Sequence, residues 1–389
     1  MKHLKQKINS LDIYKALAAL MVIAIHVTAT PVVTLVAGPA STFLLIINRL
    51  AKPSVPMFIF ASGLSLFYVY KDREFKYFQF LQKRFMKILV PYLFFCSAYY
   101  AYFLYSGTYG FSFKFFIEKV ISGNLIYHLY FVVIIIQFYL LFGVIHWIVK
   151  KYSGTAILPI TAIIVILSIW LLQISWADRF SLNYALYFVL GCYFGKNYDA
   201  AIPMLHRYKL SILGLFIFVG GIYTYQFYEA QMLGLGYRFI NDSFAYIIFS
   251  TIAILGYYLL ADIFESKYQK VNSIYAEGAN STNIEKPSKI YAEEANGAYA
   301  QETEINAKKP SYYFRLFSAK RSLLMTISAA SFYIYLAHPF GIILGVSLSN
   351  HLGLTGPIDQ MLVSLAIIFV VIVPMSIGYI KFKNARSKS

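Results

Sequence analysis

An all-α, polytopic membrane bundle of about ten transmembrane helices is the fold this sequence predicts, and three observations carry it. Of 389 residues, 59% are hydrophobic and only 13% charged, with a mean hydropathy of +0.61. A soluble domain holds about 45–50% apolar and about 25% charged residues. Apolar runs of roughly 20 residues, the length that crosses a hydrocarbon core about 30 Å thick, recur along the chain. The basic residues between those runs are unevenly shared. A disordered chain and an ordinary soluble globule are both excluded by this composition.

The spans are expected near 11–30, 54–70, 85–105, 125–149, 155–174, 180–195, 210–228, 240–263, 322–349 and 358–380. The first, LDIYKALAALMVIAIHV, follows Lys2, Lys5 and Lys7 as a signal peptide would. Asp12 and Lys15 interrupt its apolar region and no convincing small-residue cleavage site follows, so it reads as a mature helix. VPMFIFASGLSLF forms the second span, and KRFMKILVPY opens the third with Lys83, Arg84 and Lys87. The fourth carries His128 near its start and Gln137 further in. The sixth, RFSLNYALYFVLGCYFG, is the shortest, and the ninth holds His338 immediately before Pro339. Cys96 and Cys192 fall inside spans, with no CxxC spacing and no implied disulfide framework.

Between the eighth and ninth spans, residues 265–320 are polar and contain a short near-repeat, SIYAEGAN (273–280) and KIYAEEAN (289–296). Two copies are too few for a solenoid, and the segment has too little apolar content for a core of its own. It reads as a mobile cytoplasmic insertion that could form helix transiently. The chain thus divides into a membrane core at 1–264, the insertion at 265–320, and the last two helices with a basic tail at 321–389.

With the N-terminus in the cytoplasm, 27 of the 34 Lys and Arg residues fall in inner segments. Only Arg49, Lys52, Lys114, Lys119, Arg179 and Arg238 fall outside, and Lys15 lies within the first helix. That asymmetry fits the positive-inside rule with both termini cytoplasmic. The net charge of +17 is therefore a topology signal, and no nucleic-acid partner is expected.

Ionisable groups at membrane depth cost about 2.5–3.5 kcal/mol on insertion scales, so each needs a partner, a watery cavity or a chemical role. Lys15 and His26 are eleven residues apart, close to three turns, which places them on nearly one helix face about 16 Å apart. Lys15 snorkelling to headgroups and His26 bonding a neighbouring helix is the structural alternative. Asp12 could pair with a cation or cap the first helix. Arg84 and Lys87, at i and i+3, share a face that could hold phosphates, or could simply anchor the inner end of the helix.

Taken together, these segments resemble integral-membrane acyltransferase family three, whose members O-acylate surface glycans and include the type associated with intercellular adhesion polysaccharide. The resemblance rests on LDIYKALAALMVIAIH with its basic-x10-His spacing, VPMFIFASGLSLF, KRFMKILVPY, YHLYFVVIIIQFYLLF, RFSLNYALYFVLGCYFG and SFYIYLAHP, in family order. It implies that His26 is the catalytic histidine, that Lys15 stands where the family usually has Arg, and that Arg84 and Lys87 fall on the Arg-x-x-Arg element that engages the acyl donor. Lys at 15 and 87 keeps the charge but loses the planar fork that suits phosphate.

The implied activity is an O-acyltransferase of the bacterial cytoplasmic membrane, moving an acyl group from acyl-CoA, with acetyl-CoA expected, to a hydroxyl of an envelope glycan or lipid-linked sugar. His26 would be the general base, since an unperturbed imidazole titrates near about 6.5. Asp12 joins it in the catalytic set by organising the mouth with Lys15, and Lys15, Arg84 and Lys87 would hold the phosphates of coenzyme A. His128, His338 and Ser62 are additional candidates, Ser62, like Ser331 near His338, as a nucleophile or, more simply, as a small packing residue. No metal is expected, because the seven His residues show no HExxH-like spacing.

Two other readings remain at this level. A flippase for a polysaccharide or its lipid-linked precursor would share the spans and the basic inner face, although no matched halves are visible between 1–195 and 196–389. A noncatalytic partner of a glycan synthase would make the buried histidines structural.

Overall fold

The computed structural model describes residues 7–36, 38–171, 177–233, 244–280 and 312–386. Those residues form an all-α bundle of α1 (Asn9–Thr34), α2 (Pro39–Ala51), α3 (Ser54–Tyr70), α4 (Tyr77–Tyr105), α5 (Phe113–Ser122), α6 (Tyr130–Lys151) and α7 (Gly154–Leu171). After two 3-10 turns, Ala177–Arg179 and Ser181–Tyr184, come α8 (Ala185–Lys196), α9 (Tyr198–Arg207), α10 (Lys209–Met232) and α11 (Phe244–Asn280). Three further helices, α12 (Tyr312–His351), α13 (Pro357–Ile367) and α14 (Val373–Arg386), complete the described chain. A π-helical segment, Ile368–Ile372, joins the last two. It lies just before Pro374, whose missing N–H and bulky ring disturb the regular ladder one turn earlier.

Among the described residues, nine helical stretches are long and apolar enough to cross a membrane, counting α2 with α3 and α13 with α14 as one each. The sixth expected span is the exception. It is α8, a helix of 12 residues, only about 18 Å long at the α-helical rise. Gln137 of α6 pins the turns before it, donating to the Arg179 carbonyl at 2.9 Å and accepting from Ser181 N–H at 2.8 Å. At the other end of α8, Lys196 Nζ donates to the Val149 carbonyl at 2.7 Å, at the end of α6. Turns and short helix together therefore return the chain to the end of the bundle where α6 finishes.

What holds so short a helix is close approach. Gly191 and Gly195 lie against the backbone of α3, where an added Cβ would strike the Phe60 and Leu64 carbonyls. Gly63 of α3 meets the Phe188 carbonyl in the same way. With little hydrophobic drive between helices in lipid, such small-residue faces allow the backbone contact that binds helices together.

Three helices, α2, α5 and α9, fall where no span was expected. The first, α2, is set off from α3 by Lys52 and Pro53. The second, α5, runs back along α4, with Tyr100 Oη donating to the Ser112 carbonyl at 3.1 Å and Tyr92 Oη to the Val120 carbonyl at 2.6 Å. The polar segment expected from 265 also begins differently, because α11 continues as helix to Asn280 and α12 starts at Tyr312. Tyr275 stacks on Phe314 at 4.5 Å, so the two extensions pack together. Residues 281–311, with the second copy of the near-repeat, lie outside the described residues, as do Arg238 and the start of the eighth expected span.

One end of the bundle gathers the described ends of the chain. Asn9 and Ser10 of α1 donate to Glu265 (3.1 Å) and Asp262 (2.6 Å) of α11. Arg321 of α12 grips Glu265 with Nε and Nη2 at 2.6 and 2.7 Å, and His206 of α9 lies 2.8 Å from Asp262. Lys383 near the end of α14 reaches Tyr333 Oη at 3.3 Å and shares a cavity with Lys15. This basic end is where the candidate site opens.

Candidate active site

Helices α1 and α12 build the site between them. Ala16, Ala19, Ile23 and Val27, spaced three and four apart, form the stripe of α1 that packs on Ile327, Ala330 and Ile334 of α12. The alanines allow close approach, and the same register carries His26 and His338 to the meeting face. A polar knot fixes α1 beside His26, where Thr28 Oγ1 donates to the Ala24 carbonyl at 2.6 Å. Asn48 of α2 donates to the Ile25 carbonyl at 3.0 Å and to Thr28 Oγ1 at 2.8 Å.

Three histidines widely separated in sequence come together here. The ring centroids of His26 and His338 are 5.2 Å apart with planes inclined by 25°, and His128 lies 5.1 Å from His338. His128 sits in the turn before α6, rather than inside a span, and both His128 and His338 are buried. Tyr127 packs against His26 with ring centroids 4.5 Å apart and planes tilted by 41°, and Tyr335 touches both His128 and His338 at 5.2 and 6.0 Å. The Tyr335 hydroxyl donates to the His128 carbonyl. Neither ring nitrogen of His128, nor Nε2 of His338, has a hydrogen-bond partner among the described residues.

Pro339 accounts for part of this geometry. It has no N–H to give to the Tyr335 carbonyl one turn back, so that carbonyl is free for another donor. His338 Nδ1 supplies one at 2.7 Å. Tyr99 of α4 takes the next carbonyl, Leu336, at 2.8 Å, and stacks flat on Phe340 at 4.0 Å.

From the basic end a cavity of about 540 Å³ leads inward, with Lys15, Arg84, Lys87 and Lys383 in its walls and no carboxylate among its described lining residues. Ser62, Ser65 and Ser331 line it further along, and Phe58, Phe131 and Tyr335 also belong to its wall. Because Tyr335 also touches His128 and His338, one side chain connects cavity and imidazole cluster. The Arg84 guanidinium rests near the faces of Phe80 and Tyr139, at 5.7 and 5.8 Å, which limits its freedom.

The structure thus brings Lys15, Arg84, Lys87 and Ser62 to one cavity, and His26, His128 and His338 to one cluster. Asp12 belongs to neither. It lies 14 residues before His26 on α1, about 21 Å away at the helical rise. Its carboxylate instead accepts from Lys7 at 2.8 Å, Lys15 at 3.4 Å and Ser328 at 3.2 Å. Asp12 holds the Lys15 ammonium in place and does not touch an imidazole. Among the described residues, no group of three His, Cys, Asp or Glu side chains is arranged to hold a metal ion.

Sequence reasoning missed three residues at the site. Tyr335 and Tyr127 were within its reach, the first four residues before Pro339 and the second next to His128. Lys383 sits in a tail whose positive charges look alike.

No curated relative and no solved structure matches the chain. The family model of the acyltransferase domain of acyltransferase family 3 matches residues 8–281, most of the described bundle up to the end of α11. With that match, a multi-pass bundle and a polar site built inside it, the chain belongs to acyltransferase family 3 and is a membrane acyltransferase.

Proposed function

We propose that the protein moves an acetyl group from acetyl-CoA to a hydroxyl of a cell-envelope glycan or its lipid-linked precursor, in the bacterial cytoplasmic membrane with its basic end facing the cytoplasm. The observation that carries this reading is the cavity that begins among four cations and is joined through Tyr335 to a cluster of imidazoles. Coenzyme A has phosphates at one end of a long thin arm and its reactive thioester at the other. Phosphates held by Lys15, Arg84, Lys87 and Lys383 would leave the arm to run past Ser62 and Ser331 toward the histidines.

His26 then serves as general base. It takes the proton from the acceptor hydroxyl as that oxygen attacks the thioester carbonyl, and general-base assistance of this kind contributes about 10²–10⁴ in rate. The surrounding apolar wall excludes water that would hydrolyse the donor. A step through Ser62 is not needed, since the acceptor oxygen itself can attack.

The test uses membranes containing the protein, supplied with labelled acetyl-CoA and envelope glycan, in which label is followed into base-labile ester. Ester formed by the wild type and lost in His26→Ala at matched protein level is the expected result. No ester from the wild type, with sugar still crossing the bilayer, would replace the reading with transport.

A further inference from the structure

We propose that His338 is a second catalytic imidazole, which receives a proton from His26 as His26 takes the acceptor's and delivers it to the departing thiolate. The inference rests on the acyl-transfer reading and adds a residue to it. His338 lies beyond the stretch matched by the family model.

A backbone carbonyl can only accept, so the 2.7 Å contact between His338 Nδ1 and the Tyr335 carbonyl places a proton on Nδ1. In a neutral ring Nε2 then carries the lone pair. Pro339 leaves the Tyr335 carbonyl free to make this bond, so the His-Pro dipeptide selects the tautomer. Nε2 is buried without a partner among the described residues. An imidazole with one nitrogen held by a carbonyl and the other presenting a lone pair has the arrangement of an oriented base.

Position assigns it a task distinct from that of His26. Acyl transfer makes the bond from acceptor oxygen to carbonyl carbon, breaks the bond from carbon to sulfur, and moves one proton from the hydroxyl to the thiolate. A thiolate left unprotonated in a dry site is costly. His26 is partly accessible and packs against Tyr127, an exposed side chain. His338 is fully buried and touches Tyr335, which lines the donor cavity. His26 thus lies on the accessible side of the cluster and His338 on the side of Tyr335 and the donor cavity, with their rings 5.2 Å apart. In one concerted step the acceptor proton moves to one nitrogen of His26 while the proton on its other nitrogen moves to Nε2 of His338, which then gives it to sulfur, and both imidazoles end neutral.

His338→Asn separates this role from a structural one. Its amide N–H can still donate to the Tyr335 carbonyl, but nothing replaces Nε2. In membranes at matched protein level, ester formation from labelled acetyl-CoA should fall by about 10²–10⁴, with the KM for acetyl-CoA nearly unchanged. A rate within a few-fold of the wild type would overturn the relay. The wild type alone gives a second measurement, the dependence of rate on the deuterium content of the solvent. Two protons in flight should make that dependence bow downward, whereas a straight line would refute the relay even if the variant fails to fold. No ester from the wild type would remove the acyl-transfer reading itself, whereas ester with a straight line or an active His338→Asn removes only the relay.

Discussion

Glu265→Leu should loosen the helix pair that carries both His26 and His338. The Glu265 side chain is only 7% exposed and accepts from Arg321 at 2.6 and 2.7 Å, from Gln269 at 2.5 Å and from Asn9 at 3.1 Å. Hydrogen bonds to charged groups are each worth about 1.5–3 kcal/mol, and breaking one side of a buried ion pair costs about 3–5 kcal/mol. Arg321 recovers part of that loss. Its side chain is 19% exposed and its guanidinium lies 4.3 Å from the Tyr268 ring centroid, so it can hydrate and keep its aromatic contact. A net cost of about 3 kcal/mol is expected. Reversible unfolding of the purified protein in mixed micelles titrated with SDS would measure it. The double variant Glu265→Leu/Arg321→Met should regain much of the loss, because it removes both charges together, and a double-mutant cycle should give a coupling of about 2 kcal/mol. Strictly additive losses would refute the reasoning by showing that the pair does not act as a unit.

Two further outcomes follow from the same geometry. Arg84→Gln should raise the KM for acetyl-CoA about 10- to 100-fold with little change in kcat, since a charged hydrogen bond to phosphate is worth about 1.5–3 kcal/mol. Initial rates over a range of donor concentrations would read this, and an unchanged KM would remove Arg84 from the donor site. Gly191→Leu should destabilise the bundle by about 1–3 kcal/mol, because its side chain would enter the Phe60 carbonyl. The same SDS titration would detect it, and wild-type stability would contradict the close contact of α3 and α8.

Much of the bundle is legible in the sequence because lipid imposes one rule on every long apolar run. The α3 boundaries coincide with the expected 54–70. Failures occur where a helix is short and protein covers its backbone in place of lipid. Helices α2 and α5 have 13 and 10 residues, below any spanning length, and α8 is stable at 12 because its glycines meet α3. The polar segment has too little apolar content for a core of its own, yet 265–280 and 312–321 pair through Tyr275, Phe314, Glu265 and Arg321.

The site divides along similar lines. His26 and Lys15 share a face by simple helical arithmetic, and Arg84 and Lys87 do so at i and i+3. That His128 and His338 join His26 depends on tertiary packing of α1, α12 and the turn before α6, which no local pattern encodes. The carbonyl that orients His338 was readable from Pro339, but its use by the histidine ring was not. Lys383 carried no local signal at all, and Asp12, close to Lys15 in sequence, proved remote from the imidazoles because a helix separates residues along its axis.

The central claim is that an acyl donor occupies the cavity with its thioester at the histidines. An acyl-CoA bearing a photoreactive group in its acyl chain, irradiated with the protein in membranes and followed by peptide mapping, tests this directly. Labelling of Tyr335, His338 or His26, suppressed by excess acetyl-CoA and weakened by Arg84→Gln, is the predicted result. Label confined to residues away from this cavity, such as the surface of α2 and α10 around Thr42 and Met232, would contradict the account.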